Sequence, residues 1–147
     1  MKITKNFTLE EFTRSQTATR YGIDNTPDKV DIKNIHDLTK DVLQPVRNAL
    51  GPVYINSGYR CPALNIKVGG SSTSQHMRGQ AADIVVTDHS VAEVFNYIAD
   101  NLEYDQLIYE FGSWVHVSYK KGNNRMQKLE AYKDVNNRTQ YRNIERA

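Results

Sequence analysis

Cysteine is nearly absent from this 147-residue chain: Cys61 stands alone. That excludes an intramolecular disulfide framework and any zinc site built from several thiolates, so a metal here must use histidine and carboxylate. Long hydrophobic runs are missing too. Stretches such as Ala81-Ala82 to Val85-Val86 fall far short of the roughly 20 apolar residues of a membrane helix, and no membrane partner is expected. Charge of one sign is also lacking, with 19 Lys and Arg against 17 Asp and Glu. An excess of +2 is too small to argue for nucleic acid or an anionic surface. Met1-Lys2-Ile3-Thr4-Lys5-Asn6 leads into polar, turn-like sequence. It lacks the apolar stretch of about 7–15 residues that marks a secretory signal, so export by that route is not expected.

What is present is ordinary for a globular protein, at 39% hydrophobic and 24% charged residues. There is no repeat, low-complexity tract or linker. One compact domain over 1–132 is expected, followed by a polar C-terminal extension over 133–147. Thr8 before Leu9, Glu10, Glu11 and Phe12 predicts a short capped helix. Ile35, Leu38, Val42, Val46 and Leu50 mark one face of the strongest helix. Thr26 and Pro27 are read as its start, Gly51-Pro52 as its stop and Pro45 as a kink or local break. A further helix over Val91, Val94, Phe95, Ile98 and Leu102 is capped by Asp88 or Ser90. Strands are expected at Val53 to Asn56, Ala81 to Val86, Gln106 to Glu110, Trp114 to Tyr119 and Met126 to Tyr132. The sum is an antiparallel α+β domain. Ser57 to Gln80 reads as a long loop with one turn of helix near Leu64, and loops of that length are often functional.

Two of the four histidines draw attention. His36 lies in the long helix pattern and His89 beside a helix start, and both read as surface or packing residues. His76, by contrast, opens a segment that reaches Asp83 seven residues later, on a strand otherwise apolar. A carboxylate there is costly unless compensated, and a bound cation is one compensator. His116 sits mid-strand in Trp114-Val115-His116-Val117-Ser118. Two imidazoles and one carboxylate suit Zn2+ with its fourth position left for water. A buried His–Asp hydrogen bond with a structural histidine is the alternative, and spacing does not choose between them.

Ser74-Gln75-His76-Met77-Arg78-Gly79-Gln80-Ala81-Ala82-Asp83 resembles the S-x-H-x-x-G-x-A-x-D signature of the zinc D-alanyl-D-alanine peptidases, the M15 or LAS group of carboxypeptidases, dipeptidases and endolysins. Phe7 to Phe12, Thr17 to Arg20, Asn25-Thr26-Pro27, Leu43 to Arg47, Ser57-Gly58-Tyr59-Arg60, Asn65, Val68-Gly69-Gly70 and Trp114 to Ser118 are similar to its small phage-encoded branch. The resemblance spans roughly residues 7–120. It implies a hedgehog-like or DD-peptidase-like fold and Zn2+ held by His76, Asp83 and His116. It places Arg60 against the scissile carbonyl or its oxyanion, a task suited to a fixed cation. Ser74 and Gln75 can bond the substrate, though Ser74 can equally cap its turn, and Tyr59 and Trp114 can line the cleft.

The general base departs from the pattern. Many relatives carry an acid three residues before the last histidine, where this chain has Ser113. If Phe111-Gly112-Ser113 is a three-residue hairpin loop, Glu110 pairs opposite Trp114, and period-two alternation puts Glu110, Trp114 and His116 on one face. A two-residue loop would turn Glu110 away. Asp105 would face opposite to Glu110 in either case.

By resemblance the expected activity is hydrolysis of peptidoglycan peptide bonds of the D-Ala type, by a monomer if it is a free lysin. Its location would be the host cytoplasm before release through a holin-type pore, or the phage virion. The alternative is a virion or tail component that keeps the fold to bind cell wall or for assembly.

Overall fold

The computed structural model describes all of residues 1–147. Strands β1 (Lys2–Thr4) and β2 (Phe7–Thr8) pair antiparallel and lead into helix α1 (Leu9–Thr13). The Glu11 carboxylate accepts from the Thr8 backbone N–H at 2.9 Å, satisfying one donor at the helix start. Helix α2 (Gln16–Tyr21) has no counterpart in the sequence reading, because six residues are too few to show a periodic face.

The long helix is composite: α3 (Lys29–Leu38), a π-helical turn (Thr39–Leu43) and α4 (Gln44–Leu50) run on without a break. Its cap is Asp28, not Thr26. Asp28 accepts from Asp31 N at 2.8 Å and Asp31 from Asp28 N at 3.2 Å, whereas Thr26 is held in a turn by Asp24. Pro45 does not break the helix. The π turn widens the ladder just before it, and the ring sits in the first turn of α4, where a missing N–H costs least.

Strands β3 (Val53–Ser57), β4 (Ala81–Val86), β5 (Gln106–Glu110), β6 (Trp114–Ser118), β7 (Gln127–Lys133) and β8 (Thr139–Asn143) form one sheet in the order β3-β4-β6-β5-β7-β8. Helix α5 (Pro62–Lys67) lies in the long connection after β3, and α6 (Val91–Asn101), capped by Ser90 rather than Asp88, follows β4.

The sheet is mixed, which corrects the expected antiparallel one: β5 and β7 run parallel. β6 ends beside the start of β5, so a short loop past that end delivers β7 to the far edge of β5 in the same direction. The polar extension expected at 133–147 folds back as well. Lys133 ends β7, β8 pairs along it, and the Ala147 N–H reaches the Asn96 side chain at 2.9 Å.

Alternation divides the sheet. Ala82, Ile84 and Val86 of β4, Leu107 of β5 and Val115 and Val117 of β6 enter a core shared with Ile35, Leu38, Val42, Leu43, Val46, Val94, Phe95 and Ile98 from the helices. Each Val, Leu, Ile or Phe among them contributes roughly 1.5–3 kcal/mol when fully buried, which fixes the register against a one-residue slip. The opposite face is therefore determined, and it carries Asp83, Ile108, Glu110, Trp114 and His116.

Candidate active site and metal centre

Asp83 and His116 are directly opposite one another on β4 and β6, so their side chains leave the same face. His76 reaches them from a 3₁₀ turn, Gln75–Arg78, that begins at Ser74 and ends at Gly79 in the left-handed region. Only glycine fits there: a Cβ would come within 2.5 Å of the Asp31 carbonyl oxygen. The turn is also tied to the segment after β3, with Arg60 N–H donating to the His76 carbonyl at 3.1 Å.

The geometry tests whether a metal fits. His76 Nδ1 lies 2.7 Å from the Gly58 carbonyl oxygen, which can only accept, so Nδ1 carries the proton and Nε2 presents a lone pair. That lone pair faces Asp83 Oδ1 at 3.4 Å. Two acceptors meet there, an arrangement a cation resolves. His116 Nδ1 lies 3.0 Å from the same oxygen, and the donor atoms of His76, Asp83 and His116 all fall within 4.8 Å of one another. Burial disfavours protonation of His76 and lowers its pKa. Burial alone would raise that of Asp83, but His76 and His116 hold its carboxyl well below the usual range. Two imidazoles and an ionised carboxylate make a donor set that fits Zn2+. The carbonyl bond on His76 is the outer contact that fixes a ligating imidazole.

Glu110 and Arg60 flank the trio. The hairpin loop is Phe111-Gly112-Ser113, Glu110 pairs with Trp114, and its carboxylate lies 3.9 Å from His116 Nδ1. Phe111 and Gly112 both adopt positive φ, at 55° and 66°. The Phe111 ring meets Trp114 edge-on at 5.8 Å, a contact that offsets the strain of the non-glycine position. Burial and the neighbouring Asp83 raise the Glu110 pKa, opposed by His116 and Arg60. Arg60 donates to Ser74 Oγ at 3.3 Å, and its buried Nε has no partner. Ser74 both receives that bond and caps the turn through His76 N at 3.2 Å.

An open cleft of about 1260 Å³ contains these groups, with Gln75 and Trp114 in its lining. Tyr59 is not among its walls, correcting the sequence expectation: it is a core residue at 6% exposure. Burial and the neighbouring Asp31 push its pKa up to about 12. His36 is exposed and His89 faces Glu93, both away from the site.

The sequence reading missed what holds Gln75. Asp105, fully buried, accepts from Gln75 Nε2 at 2.9 Å and from Arg125 N, Nε and Nη2 at 2.8–2.9 Å. It joins the turn bearing His76 to the start of β7. Nothing local in the sequence marks such a clamp, since its partners lie 30 and 20 residues away. Burial would raise the Asp105 pKa, but Arg125 and Gln75 hold it at about 2. A depressed carboxyl contributes stability above its unfolded pKa, lost as pH falls through its folded one. Asp105→Asn is thus expected to cost about 1–2 kcal/mol at pH 7, a figure reduced for the solvent around Arg125. The gap from wild type should close between about pH 4 and 2, read by urea unfolding across that range.

A sheet face bearing Asp83, His116 and Glu110, met by His76 from its turn and by the half-buried Arg60, has the donor set and flanking groups of the metal-dependent hydrolase class. The chain belongs to the Peptidase M15 family, whose model matches residues 5–118. A zinc D-Ala-D-Ala carboxypeptidase of Streptomyces albus G is 48% identical over 44 residues, 29% of this chain. That alignment spans 17% of the relative's own length. No helix is long and apolar enough to cross a membrane.

Proposed function

We propose that the chain is a zinc peptidase that hydrolyses D-Ala-type peptide bonds of bacterial peptidoglycan as a phage lysin. The carrying observation is the meeting of His76 Nε2 and His116 Nδ1 on Asp83 Oδ1, at 3.4 and 3.0 Å, with Glu110 and Arg60 beside them. His76, Asp83 and His116 would hold Zn2+, which supplies Lewis acidity toward a carbonyl oxygen or a water molecule. Glu110 takes a proton from the attacking water on its carboxylate and returns it to the leaving amine. Arg60 directs its guanidinium at the negative charge that develops on the carbonyl oxygen, and Ser74 Oγ holds that guanidinium in place. Membership of the M15 family and the similarity to the zinc D-Ala-D-Ala carboxypeptidase support the substrate class. The likeness of the sequence to small phage-encoded members supports the lysin setting.

Mass spectrometry of purified peptidoglycan after digestion tests the reading. New amine and carboxyl termini at a D-Ala bond are expected, and their position separates carboxypeptidase from endopeptidase action. Binding to the wall without any new termini would overturn the peptidase reading in favour of a wall-binding component.

A further inference from the structure

Residues 119–147 lie beyond the family match, yet their hairpin builds part of the cleft. Pairing aligns the face in rows across the strands. One row runs Asp83, His116, Ile108, Leu129, Asn143, and the next runs Trp114, Glu110, Ala131, Tyr141. Strands lie about 4.8 Å apart, so Tyr141 stands two strands, or about 10 Å, from Glu110. In the row between them stands Ala131, fully buried. Tyr141 is 57% exposed, an aromatic ring at the lip of a polar cleft.

The two walls differ in charge. On the hairpin side the arginines are already paired, Arg142 with Glu130 at 2.7 Å and Arg125 with Asp105 at 2.8 Å, and the cleft's lysine, Lys120, stands in the loop before β7 rather than on the hairpin. That wall offers a phenol, carboxamides and the aliphatic floor of Ile108 and Leu129. Across the cleft Arg60 carries no such counter-ion contact and bonds only Ser74, and Arg78 lines the same rim. A substrate's C-terminal carboxylate suits the Arg78 rim beyond Arg60, which leaves the segment N-terminal to the cleaved bond for the hairpin.

We propose that the β7–β8 hairpin forms a specificity subsite in which Tyr141, seconded by Asn143 and Leu129, binds the peptide segment N-terminal to the cleaved bond. The proposal rests on the peptidase reading. Tyr141 packs its ring on a short aliphatic side chain and offers its hydroxyl to the peptide main chain, while Asn143 offers an amide.

The test compares acetyl-D-Ala-D-Ala with the stem pentapeptide L-Ala-D-Glu-L-Lys-D-Ala-D-Ala on the zinc-loaded protein. Tyr141→Ala is expected to lower kcat/KM on the pentapeptide about tenfold, chiefly through KM, and to narrow its preference over the dipeptide. Tyr141→Phe keeps the ring and should lose about threefold. If Tyr141→Ala does not fold, Tyr141→Phe and Asn143→Ala carry the comparison. An equal loss on both peptides, a loss confined to kcat, or no loss would overturn the subsite. Wild type that cleaves neither peptide would instead count against the D-Ala reading. Calorimetric titration with the pentapeptide then decides: binding about tenfold weaker in Tyr141→Ala supports the subsite, and equal or absent binding overturns it.

Discussion

Glu110→Gln is expected to keep about one zinc per chain and to lose turnover by roughly 10²–10⁴-fold, the usual share of a positioned acid–base group. The substitution preserves shape and the approach to His116 while removing the one proton acceptor beside the trio that is not itself a candidate ligand. Asp105 is not an alternative, because both its oxygens are committed to Arg125 and Gln75. Ser113 is not one either: it is exposed on the turn, its hydroxyl bonded to the Phe111 carbonyl at 3.3 Å. Rates on peptidoglycan fragments and metal content of the same preparation check the expectation together. Unchanged kcat would move the base elsewhere, and lost zinc would make Glu110 a ligand.

That assignment shows how far local rules reach. A three-residue loop with left-handed positions is a short-range choice, and once made, the two-residue period of the strands places Glu110, Trp114 and His116 on one face. The same logic made β4 and Asp83 legible, since a carboxylate interrupting an apolar run is a local anomaly. The parallel pairing of β7 was not legible. Its direction depends on which end of β5 the chain meets after leaving β6, a fact of three-dimensional order that no residue encodes alone. β8 was missed because all five of its residues are exposed, so burial imposes no alternation on them. The Tyr141 wall follows from that hairpin and was hidden with it, and the Asp105 clamp was hidden because its partners lie 30 and 20 residues away. Tyr59 failed for another reason: it precedes Arg60 in a motif that faces the cleft, but successive residues of an extended segment point opposite ways, and Tyr59 took the core.

The largest effect is expected at Asp83. Asp83→Asn should reduce zinc from about one per chain to near none and bring peptidase activity to background. The reason lies in where its carboxylate stands: Oδ1 is the atom that both His76 Nε2 and His116 Nδ1 face. A neutral amide there removes the only anion of the trio, and an amide N–H turned inward would oppose a cation outright. Folding should survive, because Asp83 projects from the face opposite Ala82 and Ile84, which anchor β4 in the core. Thermal unfolding with and without added zinc separates ligation from folding. A ligand at 100 times its Kd stabilises the native state by about 2.7 kcal/mol, so zinc should raise the wild-type midpoint clearly and leave that of Asp83→Asn in place. His76→Ala should behave likewise in zinc content and in the zinc-dependent shift. An Asp83→Asn protein that still binds one zinc and gains the full thermal shift would show that the metal is held elsewhere, and would remove the ligand set on which the proposed peptidase chemistry depends.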